Sequence, residues 1–201
     1  IQADIQQYYN KDSTVIHPPV DTNRFSSPLA TNYQLPTTQS YLVTLGRLVP
    51  YKRVDLIIQA CNQLDLPLKV VGRGPELGSL RKLAGDGIEF ITDADDQRVA
   101  ALLAGAQAFI FAAHEDFGIT PVEALAAGAP VITYGAGGAK DYVTAQTGIM
   151  FEEQSVGSLS AALKNFDASL FDAATLTHRA AQFDSSVFRH KIKNYVEKEL
   201  S

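Results

Sequence analysis

Short apolar runs that alternate with helix-length amphipathic segments constrain this chain more than any other feature. Strands read at 41–45, 68–71, 88–91, 108–112, 131–134 and 148–151, with helical patterns at 54–64, 76–84, 96–104, 121–127 and 138–143 between them. Runs this short and this apolar need cover on both faces, which crossover helices provide in a parallel sheet. The expected fold is therefore a doubly wound, Rossmann-like α/β sheet, with ligands outside the carboxyl ends of the strands. Before it, residues 1–10 read as the end of a helix, 14–17 as a short strand, and 22–40 as a polar, proline-containing loop. From residue 155 onward the pattern is three helices without strands.

The sheet rule gives the motifs a location. HEDFGITPVEALAAGAP at 114–130 places Glu115 and Glu123 on either side of a turn that opens into a helix. Thr120 is the expected N-cap, Pro121 the first helical residue, and Glu123 the acid of a capping box; Gly128 and Pro130 mark the helix end. A helix start offers free N–H groups and a positive dipole end to an anion. Two flanking carboxylates add acceptors for hydroxyls, so the segment suits a nucleotide-sugar. Glu123 can equally cap its own helix, and Glu115 can be a solvated loop acid. Paired carboxylates also suit a glycosidase, but that reading explains neither the helix start nor the tight Phe117-Gly118 turn.

Gly46-Arg47 follows the first strand, which brings Arg47 out at the ligand edge, and Lys52 falls near the next helix start. Together they can neutralise a diphosphate, although both residue types are more often plain surface charges. Gly72-Arg73-Gly74 follows the next strand and hints at a dinucleotide site, but Gly78 comes one position too late for G-x-G-x-x-G. Asp93, Asp95 and Asp96 crowd one loop without the spacing of a calcium site, and Asp95 reads as a helix cap. Gly135-Ala-Gly-Gly138 can bring bare backbone to a ligand or simply turn the chain. The four histidines (17, 114, 178 and 190) lack metal-ligand spacing, and no metal is expected.

These segments resemble the retaining glycosyltransferases of the GT-B fold known as glycosyltransferase group 1, whose two glutamates are separated by seven residues. GRLVPYKRVDLII at 46–58, VVGRGPELGSLRKLA at 70–84, and GGAKDYV with TGIMF within 137–151 follow in the family's order. The resemblance covers nearly the whole chain but only the C-terminal, donor-binding half of such an enzyme. It implies catalytic roles for Glu115, on the transferred sugar, and for Arg47 and Lys52, on the departing diphosphate. It implies donor contacts from Glu123 (ribose hydroxyls), the backbone of Phe117, Gly118, Ile119 and Thr120, the glycines 46, 72 and 74, and Ala94 with Asp96 at the base. Arg73 and Asp141 depart from the family pattern, which usually has a small polar residue and a glutamate there.

VIHPPVD at 15–21, with EDFGITPVEA, most resembles mannosyltransferases of polysaccharide assembly. That favours GDP-mannose as donor over UDP-glucose or UDP-N-acetylglucosamine, with no other cofactor. By the same resemblance, 1–21 is a linker from an N-terminal acceptor domain, 22–184 the nucleotide-sugar-binding domain, and 185–201 a helix that crosses back. The lone half is expected to bind donor without transferring sugar.

Composition narrows the class. The 201 residues are 46% apolar and 19% charged, ordinary for one large globular domain. A net charge of −5, with no basic run, argues against a nucleic-acid binder. The single cysteine, Cys61, lies on an apolar helical pattern and points to a reducing compartment. No signal peptide or transmembrane-length apolar run is visible. The expected location is the cytoplasm, with peripheral contact of the parent enzyme at the inner face of the membrane.

Overall fold

Residues 2–26 and 40–200 are described by the computed structural model. Strands β1 (Leu42–Leu45), β2 (Leu68–Val71), β3 (Ile88–Ile91), β4 (Ala108–Phe111), β5 (Val131–Tyr134) and β6 (Gly148–Phe151) form one sheet. All its pairs are parallel and its order is β3-β2-β1-β4-β5-β6. Helices α1 (Gln2–Tyr9), α2 (Asn23–Ser26), α3 (Val54–Gln63), α4 (Leu77–Leu83) and α5 (Asp96–Ala104) precede α6 (Ile119–Ala126). After it come α7 (Ala139–Tyr142), α8 (Val156–Lys164), α9 (Ala173–Ala181) and α10 (Ser185–Glu199).

Alternation along the strands makes a core on each face of the sheet. Val43, Val71, Phe109 and Val131 point to one side, beneath apolar residues of α5, α6 and α9. Leu42, Leu68, Ile110 and Ile132 point to the other, beneath α3, α4 and α8. Each such side chain contributes roughly 1.5–3 kcal/mol of transfer free energy, which only two-sided cover can realise. The strand order reverses between β1 and β4, so their carboxyl ends diverge and leave a crevice there. Cys61 is buried in the second core, and burial pushes its thiol up to about 12. Among the described residues, no helix is long and apolar enough to cross a membrane.

The expected elements form with end shifts of a residue or two, and residues after 155 form three helices with a short 3-10 turn, Ala168–Leu170, between them. The strand expected at 14–17 does not form. A strand needs a ladder partner, and the adjoining Pro18-Pro19 offers no N–H. One isolated bridge, Val20 to Asp184, holds this segment instead, with Val20 N–H donating to Phe183 (3.0 Å) and Ser185 N–H to Val20 (2.9 Å). The loop expected at 22–40 begins with the short helix α2, and its remainder, 27–39, lies outside the described residues.

Asp184 stitches the chain's two ends together. Its carboxylate accepts from Ser186 N–H at 2.9 Å, capping α10, and from the Thr22 hydroxyl at 2.8 Å. These bonds hold its carboxyl well below the ordinary aspartate range. A depressed carboxylate stabilises above its unfolded pKa, and that contribution is lost as pH falls through the folded value. Asp184→Ala is therefore expected to cost about 1 kcal/mol at neutral pH. Its deficit relative to wild type should shrink below about pH 4. Urea melts at pH 7 and pH 3 check this, and an equal deficit at both would remove the carboxylate's role.

Candidate active site

The loops that leave β1 and β2 are joined backbone to backbone. Gly46 N–H donates to Val71 (3.0 Å) and Leu48 N–H to Arg73 (2.9 Å). A Cβ on Gly72 would lie 2.0 Å from the Gly46 carbonyl oxygen, and one on Gly74 would lie 2.1 Å from that of Leu48. Close packing thus explains these two glycines without a ligand. Arg73, the departure from the family pattern, turns its guanidinium onto the Thr92 carbonyl at the end of β3.

Arg47 emerges exposed at the end of β1, and its guanidinium has no hydrogen bond or ion pair among the described residues. Lys52 ends a 3-10 turn, Pro50–Lys52, and Arg53 in the left-handed region (φ 52°) redirects the chain into α3. The Lys52 ammonium pairs with the Glu115 carboxylate and lies 5.2 Å above the Phe111 ring. Lys52, Glu115 and residues Phe117, Gly118, Ile119 and Thr120 line one open hollow.

A second glycine turn supports the Glu115 loop from behind. Gly138 N–H donates to the Glu115 carbonyl at 2.9 Å. A Cβ on Gly137 would lie 2.1 Å from that same oxygen, and one on Gly138 would lie 2.4 Å from the Asp116 carbonyl oxygen. The bare backbone read at 135–138 as a ligand approach therefore meets the neighbouring loop. Phe117 is buried against Tyr142 (5.6 Å), Phe183 (5.4 Å) and His17 (5.4 Å), so this residue has only its backbone to offer a ligand.

The capping box does not form. Gly118, at φ 88°, precedes the helix, and α6 begins at Ile119 with no side-chain cap. The positive φ lets the chain enter the helix two residues early, which moves Thr120 and Pro121 inside the first turn. Pro121 is tolerated there because first-turn N–H groups lack intrahelical partners. Ile119 and Thr120 line the hollow at a helix start that has no side-chain cap. The helix end is as read: Gly128 takes φ 83°, with Ala129 N–H donating to Ala124 at 2.9 Å.

The Glu123 carboxylate, freed of a capping role, makes no hydrogen bond or ion pair among the described residues. Burial pushes its carboxyl up, Arg24 opposes that shift, and Asp96 and Asp21 add to it. Asp96 forms an ion pair with Arg24, and Ala94 packs against the first core. Asp95 caps α5, accepting from Arg98 N–H at 2.8 Å. The expected residues thus fall into separate groups: Lys52 and Glu115 at the start of α6, Arg47 beside Lys52 in an adjoining pocket at the end of β1, and Glu123 and Asp96 near Arg24 of α2.

Three participants escaped the sequence reading. Arg24 stands among the acids of the last group. His17 pairs with Asp141 at 3.3 Å, which gives that shorter acid a partner. Tyr142 is fully buried, and its hydroxyl has no partner among the described residues. Only VIHPPVD carried any signal for His17. His114 is exposed and edges onto Tyr134. No cluster of three metal-ligating side chains occurs among the described residues.

Residues 29–168 match the family described as Glycosyl transferases group 1. The GDP-mannose-dependent monoacylated alpha-(1-6)-phosphatidylinositol monomannoside mannosyltransferase of Corynebacterium glutamicum is 31% identical, over 77% of this chain and 46% of that protein. The GDP-mannose-dependent alpha-(1-6)-phosphatidylinositol monomannoside mannosyltransferase of Mycobacterium tuberculosis is 32% identical, over 73% of this chain and 44% of that protein. The chain spans about half the length of these curated relatives. Among solved structures, sucrose-phosphate synthase from Thermosynechococcus elongatus superposes with a TM-score of 0.84 at 19% identity, covering 98% of this chain and 56% of that one. Anabaena HepE in complex with UDP and glucose superposes with a TM-score of 0.76 at 22% identity, covering 92% of this chain and 56% of that one.

Proposed function

The chain belongs to the glycosyl transferases group 1 family, and from that premise we propose that it is the donor-binding half of a retaining, metal-independent hexosyltransferase using GDP-mannose. The observation that carries the reading is the meeting of Lys52 and Glu115 beside an uncapped helix start, at the carboxyl ends of β1 and β4. A cation, a carboxylate and free N–H groups are the three partners a sugar diphosphate needs.

In this reading Glu115 accepts from hydroxyls of the transferred sugar, and Glu123 from the ribose hydroxyls. Backbone N–H groups of the 117–120 turn meet sugar hydroxyls and phosphate. Arg47 and Lys52 hold the diphosphate as it leaves, with Gly46 allowing close approach. Transfer then rests on positioning and on fixed positive charge. Ala94 and Asp96 are assigned to the base. Asp96 must share its carboxylate between guanine and Arg24.

GDP-mannose is favoured because the relatives above carry GDP-mannose in their names. The acceptor, a saccharide or lipid-linked glycan, is assigned to a second domain, with the whole enzyme in the cytoplasm and peripheral at the membrane. Residues 1–21 and 185–201 are assigned to the connections with that domain. Without it the donor diphosphate stays open to water and no acceptor is oriented, so this half alone is expected to bind donor without transfer. Competition calorimetry with GDP, UDP and ADP is expected to rank GDP tightest. Tighter UDP binding would overturn the GDP-mannose assignment and leave the family membership untouched.

A further inference from the structure

We infer that Glu115, by holding Lys52 when no sugar is present, makes this site discriminate the sugar-bearing donor from the bare nucleoside diphosphate. The inference rests on the donor-site reading above and adds a selectivity device to it. Lys52 and Glu115 are an ion pair whose side chains are only 16% and 22% exposed. The pair is therefore partly desolvated, and separating it costs more than separating an exposed one. The Arg47 guanidinium, on the same loop, has no partner among the described residues to give up.

Two ligands ask different things of this pair. A nucleoside diphosphate draws Lys52 toward phosphate and leaves Glu115 half-buried with nothing in exchange. A nucleotide-sugar draws Lys52 in the same way, but its sugar hydroxyls then donate to the released carboxylate. Breaking the pair is compensated in the second case and uncompensated in the first. The device therefore works against retention of the nucleoside diphosphate left after transfer.

The test is calorimetry of wild type, Glu115→Gln, Lys52→Met and the double variant, with GDP and UDP as bare diphosphates and GDP-mannose and UDP-glucose as sugar-bearing ligands. Glu115→Gln is expected to bind the bare diphosphate about tenfold tighter and the nucleotide-sugar no tighter. In the Lys52→Met background that gain should largely disappear. A gain of equal size with and without Lys52 would mean simple repulsion between carboxylate and phosphate, and would overturn the inference. So would an equal gain for both ligands, or no gain. If Glu115→Gln does not fold, Glu115→Asp keeps the charge and lengthens the pair, and it should show part of the same gain. Wild type that binds none of the four ligands would instead sink the donor-site reading.

Discussion

Replacing Arg47 by alanine is expected to weaken GDP binding about hundredfold while leaving guanosine binding unchanged. Hydrogen bonds to a charged partner contribute roughly 1.5–3 kcal/mol, and each 1.4 kcal/mol is tenfold in affinity. Arg47 meets the ligand without first surrendering an interaction of its own. Lys52 must leave Glu115, so Lys52→Ala should cost less, about tenfold. Titrating GDP and guanosine into each variant separates phosphate contact from general damage. Equal losses for nucleoside and nucleoside diphosphate would remove Arg47 from the phosphate site.

The Glu123→Ala variant should lose GDP-mannose affinity by about thirtyfold or more, at no cost in thermal stability. A carboxylate that accepts from a vicinal diol contributes charge-assisted bonds worth roughly 1.5–3 kcal/mol. In the ligand-free protein the same carboxylate is a burden, since it is largely desolvated, ungrouped by any cap, and only partly offset by Arg24. The sign follows from linkage. A glutamate whose folded pKa is raised binds more protons in the folded state, so stability falls as pH climbs from the ordinary glutamate value through the raised one. Alanine abolishes that slope, and the variant should be at least as stable as wild type at pH 7. Wild-type donor affinity should fall as acid protonates Glu123. Thermal melts and donor titrations from the ordinary glutamate range up to neutral pH test both halves. Lost stability with full donor affinity would return Glu123 to a structural role.

Much of the fold was legible because burial acts locally. The runs at 68–71, 88–91, 131–134 and 148–151 are strands as read, since apolar residues on both faces leave few alternatives to a covered parallel sheet. The run at 14–17 failed for the complementary reason: a strand is a property of a pair, and among the described residues no partner edge reaches it. The site was legible only as a set of positions. Strand ends placed Arg47 and Glu115 at one edge, a consequence of parallel topology.

Residue pattern by itself determined the strands, the crossover order of sheet and helix, and the edge on which chemistry can occur, because hydrophobic periodicity encodes which face each residue buries. It could not determine partners. Lys52 with Glu115, Arg24 with Asp96, and His17 with Asp141 join residues from different loops, and such pairings depend on distances that exist only after the sheet has formed. The capping box was misread for a related reason. Thr120 and Glu123 have the right spacing, but Gly118 at φ 88° starts the helix earlier and takes both out of register. Gly72, Gly137 and Gly138 likewise answer to neighbouring loops rather than to their own turns, since each lies where another backbone leaves no room for a side chain.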